Sequence, residues 1–283
     1  MDIKERLELI HRADLLLLSE LDRVCAENGI KYTLDSGTLL GALRHRGFIP
    51  WDDDADVAMT RDNYDKLLSV RDRFGDGFRL VTPLDYTGEA VLDTVTRLVL
   101  VDSRLHTDNA ETDFYGDMSN RLWLDIFIAD NCGEKVSPLQ KAKIAMYYGM
   151  LMGHRHSIDL SDYAGASKAA VATLSAAGRK MPKKKLYERY TKACRSAVGK
   201  THCFFSNYTM KHIFETHDAS CFAGYVRVPF EDREFLIAEG AGKLLGRIYG
   251  DWNVPPSREQ INAAYAQHAS ALSFDDEFTV PVV

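Results

Sequence analysis

The sequence has no long apolar run, no excess of basic residues and no closely paired cysteines, and each absence removes a class of function. Its longest apolar-looking stretches, Leu15 to Leu18 and Ile144 to Gly153, fall short of the roughly 20 residues that span a bilayer. Any membrane contact is therefore expected to be peripheral. A formal net charge of -6 argues against broad nucleic-acid binding, which needs a basic face. The five cysteines (Cys25, Cys132, Cys194, Cys203 and Cys221) include no Cys-x-x-Cys zinc pair and read as the reduced thiols of a cytoplasmic protein. The opening "MDIKERLELIHRAD" is too charged for a signal or transit sequence. There is no internal repeat and no low-complexity linker. What is there, 46% hydrophobic and 27% charged residues over 283 positions, is enough to build a sizeable core.

Periodicity supplies the coarse fold. Apolar residues from Leu7 to Cys25 recur at helical spacing and Gly29 follows as a stop, which predicts one long amphipathic helix over Ile3 to Asn28. "IKYTLDS" reads as a short strand and "GTLLGALRH" as a helix. "DADVAMT", Asp54 to Thr60, alternates at period two and predicts a strand. Helical spacing returns through Tyr64, Leu67, Leu68 and Val70, and further strands are expected at Phe78 to Val81, Thr96 to Val101 and Arg121 to Asp130. From Ser137 to about Lys200 the pattern is helical, interrupted by "SDYAGAS" and "GRKMPKKK"; "CFFSNY" and "FAGYVRVPF" then read as extended, before a helix at "GAGKLLGRIYG". The fold class expected is α/β (α+β): a mixed sheet flanked by helices, with a core over 1–135, a helical insertion over 136–200, and a segment over 201–283 that returns to the core.

The stretch "SGTLLGALRHRGFIPWDDDADVAM" carries the chemistry. On a strand Asp52, Asp54 and Asp56 would share one face and Asp53 the other, with successive members of the set about 7 Å apart. Carboxylates so placed suit Mg²⁺ or Mn²⁺, hard cations that take oxygen ligands. Asp125 stands alone in the apolar "LWLDIFI", where an unpaired carboxylate is costly, and is expected to be a third ligand or a base. Ser36, Gly37 and Thr38 open a helix whose free amides can meet phosphate, and Arg44, His45 and Arg46 can hold further phosphate oxygens. A solvated acidic turn and a hydrogen-bonded structural Asp125 are the plainer alternatives.

Asp-x-Asp followed by a third acid on another strand resembles the nucleotidyltransferase fold. More narrowly, this stretch resembles the signature of the LicD family, "LWLDIFIAD" its second block, with Ile128 where proline is common, and "VPFEDREF" with "YGDWNVPP" its third. The resemblance implies a phosphotransferase that moves a phospho-alcohol, phosphocholine first and ribitol or glycerol phosphate otherwise, from a CDP-linked donor to a glycan hydroxyl and releases CMP. It implies Asp54 and Asp56 as metal ligands with Asp125 a third acid, and Ser36, Gly37, Thr38 and Arg44 at the donor phosphates. A nucleotidyltransferase that uses CTP and releases pyrophosphate, and a non-catalytic nucleotide-binding protein, stay open. If the donor carries choline, Phe205, Tyr208, Tyr225 and Trp252 are the aromatics expected to cage the quaternary ammonium. "KMPKKK", Lys180 to Lys185, is a solvated turn or a contact for a polyanionic acceptor or an anionic membrane surface.

Overall fold

In the computed structural model, residues 3–161, 163–271 and 278–281 are described, the last few of the helical stretch, 267–271, by backbone alone. The chain opens with helix α1 (Ile3–Glu27), whose Leu7, Ile10, Leu17, Leu18, Leu21 and Val24 are all buried along one stripe. Gly29 ends it at φ +64°, and Ile30 N donates to Cys25 O at 2.9 Å, a Schellman closure that only a left-handed residue permits cheaply.

Strand β1 (Thr33–Leu34), α2 (Ser36–Arg44), β2 (Ala55–Thr60), α3 (Arg61–Ser69), β3 (Phe78–Val81), β4 (Thr96–Leu100), α4 (Ala110–Tyr115) and β5 (Trp123–Cys132) follow. They build a sheet of order β1-β2-β5-β4-β3, in which β2 and β5 run parallel and the other neighbours antiparallel. Helices α5 (Pro138–Leu151), α6 (Gly165–Gly178) and α7 (Lys183–Arg195) come next. Strands β6 (His202–Phe205) and β7 (Thr216–Asp218) then extend the same sheet beyond β4, along the second half of β5. A hairpin, β8 (Tyr225–Phe230) and β9 (Arg233–Ala238), precedes α8 (Ala241–Tyr249) and α9 (Arg258–Ala271).

The sheet has two unlike faces. Val57, Leu124, Ile126, Leu98 and Leu100 point toward α1 and form the main core. Alternate residues point the other way, where Ala58 and Ala129 meet Phe205, Phe222 and Leu244 in a smaller core. The middle helices cover the far end of β5 and β6, where Ile144, Tyr190 and Cys194 pack on Cys132 and Phe204.

Local chemistry explains where the elements depart from periodicity. "CFFSNY" stops being a strand at Phe205 because Asn207 takes over as a side-chain rung: its Oδ1 accepts from Ile128 N and its Nδ2 donates to Ile126 O, both at 2.8 Å. The strand expected from Asp54 begins instead at Ala55. β7, β9, α4 and α9 have patterns too short or too polar to announce themselves. Lys183, in the run read as a solvated turn, is buried and donates its ammonium to Tyr86 O at 2.7 Å and Ala90 O at 3.2 Å.

Candidate active site

The parallel register sets Asp56 beside Asp125, and the antiparallel register sets Arg97 of β4 beside Asp125 on its other side. Directly opposed residues share a face, so an acid, an acid and a base cross the sheet in one row. Arg97 is buried, with Nε 2.9 Å from Asp125 Oδ1, its other nitrogens 2.9 and 2.7 Å from the two oxygens of Asp93, and its carbon 4.7 Å from the Trp123 ring centre. Burial pushes the Asp125 carboxyl up to about 6; Arg97 opposes the shift, while Asp93 and Asp54 add to it. Asp56 is pushed well above the usual carboxylate range, by burial first and then by Asp54, Asp125, Asp35 and Asp52. Among the described residues no ion pair reaches Asp56 or Asp52.

Asp52, Asp53 and Asp54 approach the row from the preceding loop, each offering an oxygen within 4.8 Å of the others. This corrects the expectation that Asp53 faces away. The three residues precede β2 and lack ladder partners, so the alternation of a pleated strand does not govern them. Helix α1 fixes the loop: His11 Nε2 lies 2.9 Å from Asp52 O while its ring stacks on Phe48 at 4.6 Å. Burial raises Asp52 to about 8, with Asp54 and Asp53 contributing. Behind it the fully enclosed Asp14 of α1 is raised well above the usual range, by burial and then by the same three acids, and its Oδ2 has no partner. So many carboxylates with so little compensation form a hard oxygen donor set that fits Mg²⁺ or Mn²⁺.

The start of α2 leans on this group. Asp35, its buried N-cap residue, donates its N–H to Asp56 O at 3.0 Å and accepts from Tyr208 OH at 2.5 Å, leaving Oδ1 unpartnered. Ser36 is held at φ +48°, a conformation costing about 1–3 kcal/mol outside glycine. Thr38 Oγ1 accepts from Asp56 N at 2.9 Å, so its hydroxyl orients the Asp56 backbone. A Cβ on Gly37 would lie 2.1 Å from Asp52 Oδ2. Gly37→Ala should therefore leave the fold intact while rotating Asp52 out of the acidic group; a Mn²⁺ titration should show at least about tenfold weaker binding, the loss of about 1.4 kcal/mol. Unchanged affinity would remove Asp52 from the cation site.

Two cavities flank the acids. One of about 510 Å³ is lined by Ser36, Asp93, Arg97, Asp125, Phe127, Tyr208 and Arg247 among others. The other, about 550 Å³, is lined by Gly37, Arg44, Trp51, Asp52, Tyr249 and Trp252. Arg44 thus faces the acidic group from the second cavity, where its Nε is buried without a hydrogen-bond partner. His45 and Arg46 are exposed; His45 meets Trp51 edge-on at 6.0 Å, and Arg46 O accepts from Glu231 N at 2.7 Å. Glu231, in the turn between β8 and β9, also takes Phe48 N on Oε1 at 2.9 Å and so pins the loop that follows α2.

The four aromatics do not converge on one point. Tyr208 lines the first cavity, against Phe127 at 4.3 Å, whereas Trp252 lines the second and donates its indole N–H to Gly242 O at 3.2 Å. Phe205 is buried between Tyr208, His217 and Phe222, and Tyr225 packs on the same small core with its hydroxyl buried and unpartnered. Sequence reasoning missed Asp14, Asp35, Asp93 and Arg97. A signal existed for Arg97: it is a lone charge in the apolar "TRLVL", as Asp125 is in "LWLDIFI".

Residues 29–131 match the family described as "LicD/FKTN/FKRP, nucleotidyltransferase domain". The lipopolysaccharide cholinephosphotransferase LicD of Haemophilus influenzae is 33% identical over 135 residues, covering 45% of this chain and 46% of that protein. Uncharacterized proteins of Rickettsia prowazekii and Rickettsia typhi are 40% identical over 58 residues and 36% over 80, covering 20% and 27% of this chain and 22% and 26% of their own lengths. The matches thus span under half the length of these relatives. The matched segment contains Ser36 to Asp56 and Asp125, with the β2–β5 pairing that brings the acids together, and over that segment the chain is similar to the LicD family.

Proposed function

We propose that the chain is a divalent-cation-dependent phosphotransferase that moves a phospho-alcohol, phosphocholine first, from a CDP-linked donor to a carbohydrate hydroxyl and releases CMP. The observation that carries this reading is the row Asp56, Asp125 and Arg97 set beside Asp52 to Asp54, opening on two cavities. The related Haemophilus protein, named for cholinephosphate transfer to lipopolysaccharide, supports the choice of group and acceptor.

Asp54, Asp56 and Asp52 would hold Mg²⁺ or Mn²⁺, which when bound neutralises charge on the donor phosphates and the departing nucleotide. Arg44, fixed on α2, is placed to hold a phosphate oxygen from the second cavity. Asp125 is positioned to take the proton of the attacking hydroxyl: it lines the first cavity, and a carboxyl at about 6 is a far better base at neutral pH than an ordinary one. Arg97 orients Asp125 and keeps it ionised. Product analysis with CDP-choline, Mg²⁺ and a glycan acceptor tests the reading: CMP should appear in step with phosphocholine transfer. Pyrophosphate from CTP and no CMP would instead favour a nucleotidyltransferase, and no turnover with any cytidine nucleotide a binding protein.

The raised carboxyls also dictate the pH response. In the unfolded chain these groups ionise near pH 4; in the cation-free fold they hold their protons to about 6 at Asp125 and about 8 at Asp52. Their contribution to stability is complete below pH 4 and is lost as the pH rises through those values. Bound cation must displace those protons. Mg²⁺ affinity should therefore climb between pH 6 and 8, with proton release measurable by calorimetry in buffers of different ionisation enthalpy; affinity independent of pH would contradict the shared-carboxylate site.

No helix among the described residues is long and apolar enough to cross a membrane. A lipid-linked acceptor at the cytoplasmic face would be reached by peripheral contact, for which Lys180, Lys184 and Lys185 are exposed.

A further inference from the structure

A third hollow, about 750 Å³, lies over β6, β7 and the first turns of α8. Its lining includes Lys135, Lys141, Lys243 and Arg247, four cations in a protein of net charge -6. Elsewhere in this fold several arginines are held by carboxylates: Arg23, Arg61, Arg71, Arg97, Arg104, Arg195 and Arg227 each have one within 3.1 Å. Among the described residues, none of the four cations of the groove has a carboxylate within the 4.0 Å of an ion pair.

The acids of the groove are committed elsewhere or stand at its edge. Asp218 accepts Ser220 N at 2.9 Å, capping a turn, and attracts Lys243 only from beyond ion-pair distance, while Glu215 takes His212 Nδ1 at 2.7 Å. Glu134 is exposed on the loop after β5, its carbonyl held by Thr216 Oγ1 at 2.9 Å. The Lys141 ammonium nitrogen lies over the Phe214 ring, 5.2 Å from its centre, a cation–π contact that holds the charge in the groove. His217 is buried and held down to about 4 by burial and then by Arg247, so it stays neutral at working pH and can present a hydrogen bond without adding charge.

The position of the groove gives it a meaning. Arg247 and Glu215 line both this hollow and the cavity that contains Asp125, so a molecule lying in it could extend a hydroxyl toward the proposed base. We propose that this groove is the acceptor subsite, and that its unpaired cations select a glycan carrying an anionic substituent, phosphate or carboxylate, next to the sugar that is modified. The anion suits Lys141, Lys243 and Lys135, with charge-assisted hydrogen bonds fixing its orientation. The inference rests on the transferase reading, because only a transferase needs an acceptor beside Asp125.

The test is calorimetric titration of the full chain with glucose 6-phosphate, glucuronate, glucose and inorganic phosphate, repeated with the double variant Lys141→Gln/Lys243→Gln. The anionic sugars should bind at least about tenfold more tightly than glucose, a difference of about 1.4 kcal/mol, and lose at least that factor in the variant and in high salt. Which of the two binds better identifies the substituent as phosphate or carboxylate. Binding of CDP-choline with Mg²⁺ should be the same in both proteins. Equal binding of glucose and the anionic sugars, no effect of the variant, or inorganic phosphate binding as well as glucose 6-phosphate would overturn the assignment. If CDP-choline failed to bind the unaltered protein while glucose 6-phosphate binding still depended on Lys141 and Lys243, the donor reading would fall and the anionic sugar site would stand.

Discussion

Asp56→Asn is expected to make the cation-free protein more stable and the enzyme nearly inactive. Asp56 is enclosed on the sheet with Asp54, Asp125, Asp35 and Asp52 near enough to raise its ionisation well above the usual range. Replacing it with a neutral amide of the same shape removes a charge that the fold does not compensate, so the melting temperature above pH 7 should rise by about 2 °C or more. In the proposed site the same change would also delete an oxygen ligand of the cation. A loss of about 10³-fold in transfer, equivalent to about 4 kcal/mol of transition-state stabilisation, is the expected scale. Asp54→Asn should lose activity similarly but gain less stability, since Asp54 is exposed. A stable, fully active Asp56→Asn protein would remove the acid row from the mechanism. A destabilised one would mean that the carboxylate is compensated after all.

Arg97→Met should be the most destabilising single change at this site. It keeps the bulk over Trp123 but leaves Asp93 and Asp125 without their shared cation, and removing one partner of a buried ion pair costs about 3–5 kcal/mol. The sign with pH is fixed by Asp125. Without Arg97 its ionisation rises above about 6, so the protein should recover part of the loss at pH 5, where the carboxyl is protonated, and show the full loss at pH 8. Urea unfolding at the two pH values measures this directly, and adding Asp125→Asn should return much of the stability at pH 8. Equal destabilisation at both values would show that Arg97 acts through packing alone.

The legible parts of this molecule were those with a strong local period or a recognisable block. The stripe of α1, the strand through Asp56 and Ala58, and the apolar strand with its single Asp125 could each be read because burial of one face leaves its mark on spacing. The pairing of β2 with β5 was not readable, because strand register is a long-range property. Yet that register turns two separated acids into neighbours. Asp53 was misplaced because a strand period was extended into a loop. Tyr208 and Trp252 were grouped by residue type, while the fold puts them in different cavities. Arg97 and Asp14 were overlooked for a common reason: one charged residue inside an apolar element looks like noise until its partners, far away in sequence, are in place.

The central claim is that Asp52 to Asp56 and Asp125 form a cation-dependent site for a CDP-linked donor. Calorimetric titration with CDP-choline, CDP-ribitol, CDP-glycerol and CTP, with and without Mg²⁺, tests it without knowledge of the acceptor. The account predicts preferential binding of one CDP-alcohol, CDP-choline first, that disappears without Mg²⁺ and in Asp54→Asn. Tighter binding of CTP, or binding of CDP-alcohols indifferent to both the cation and Asp54, would contradict it.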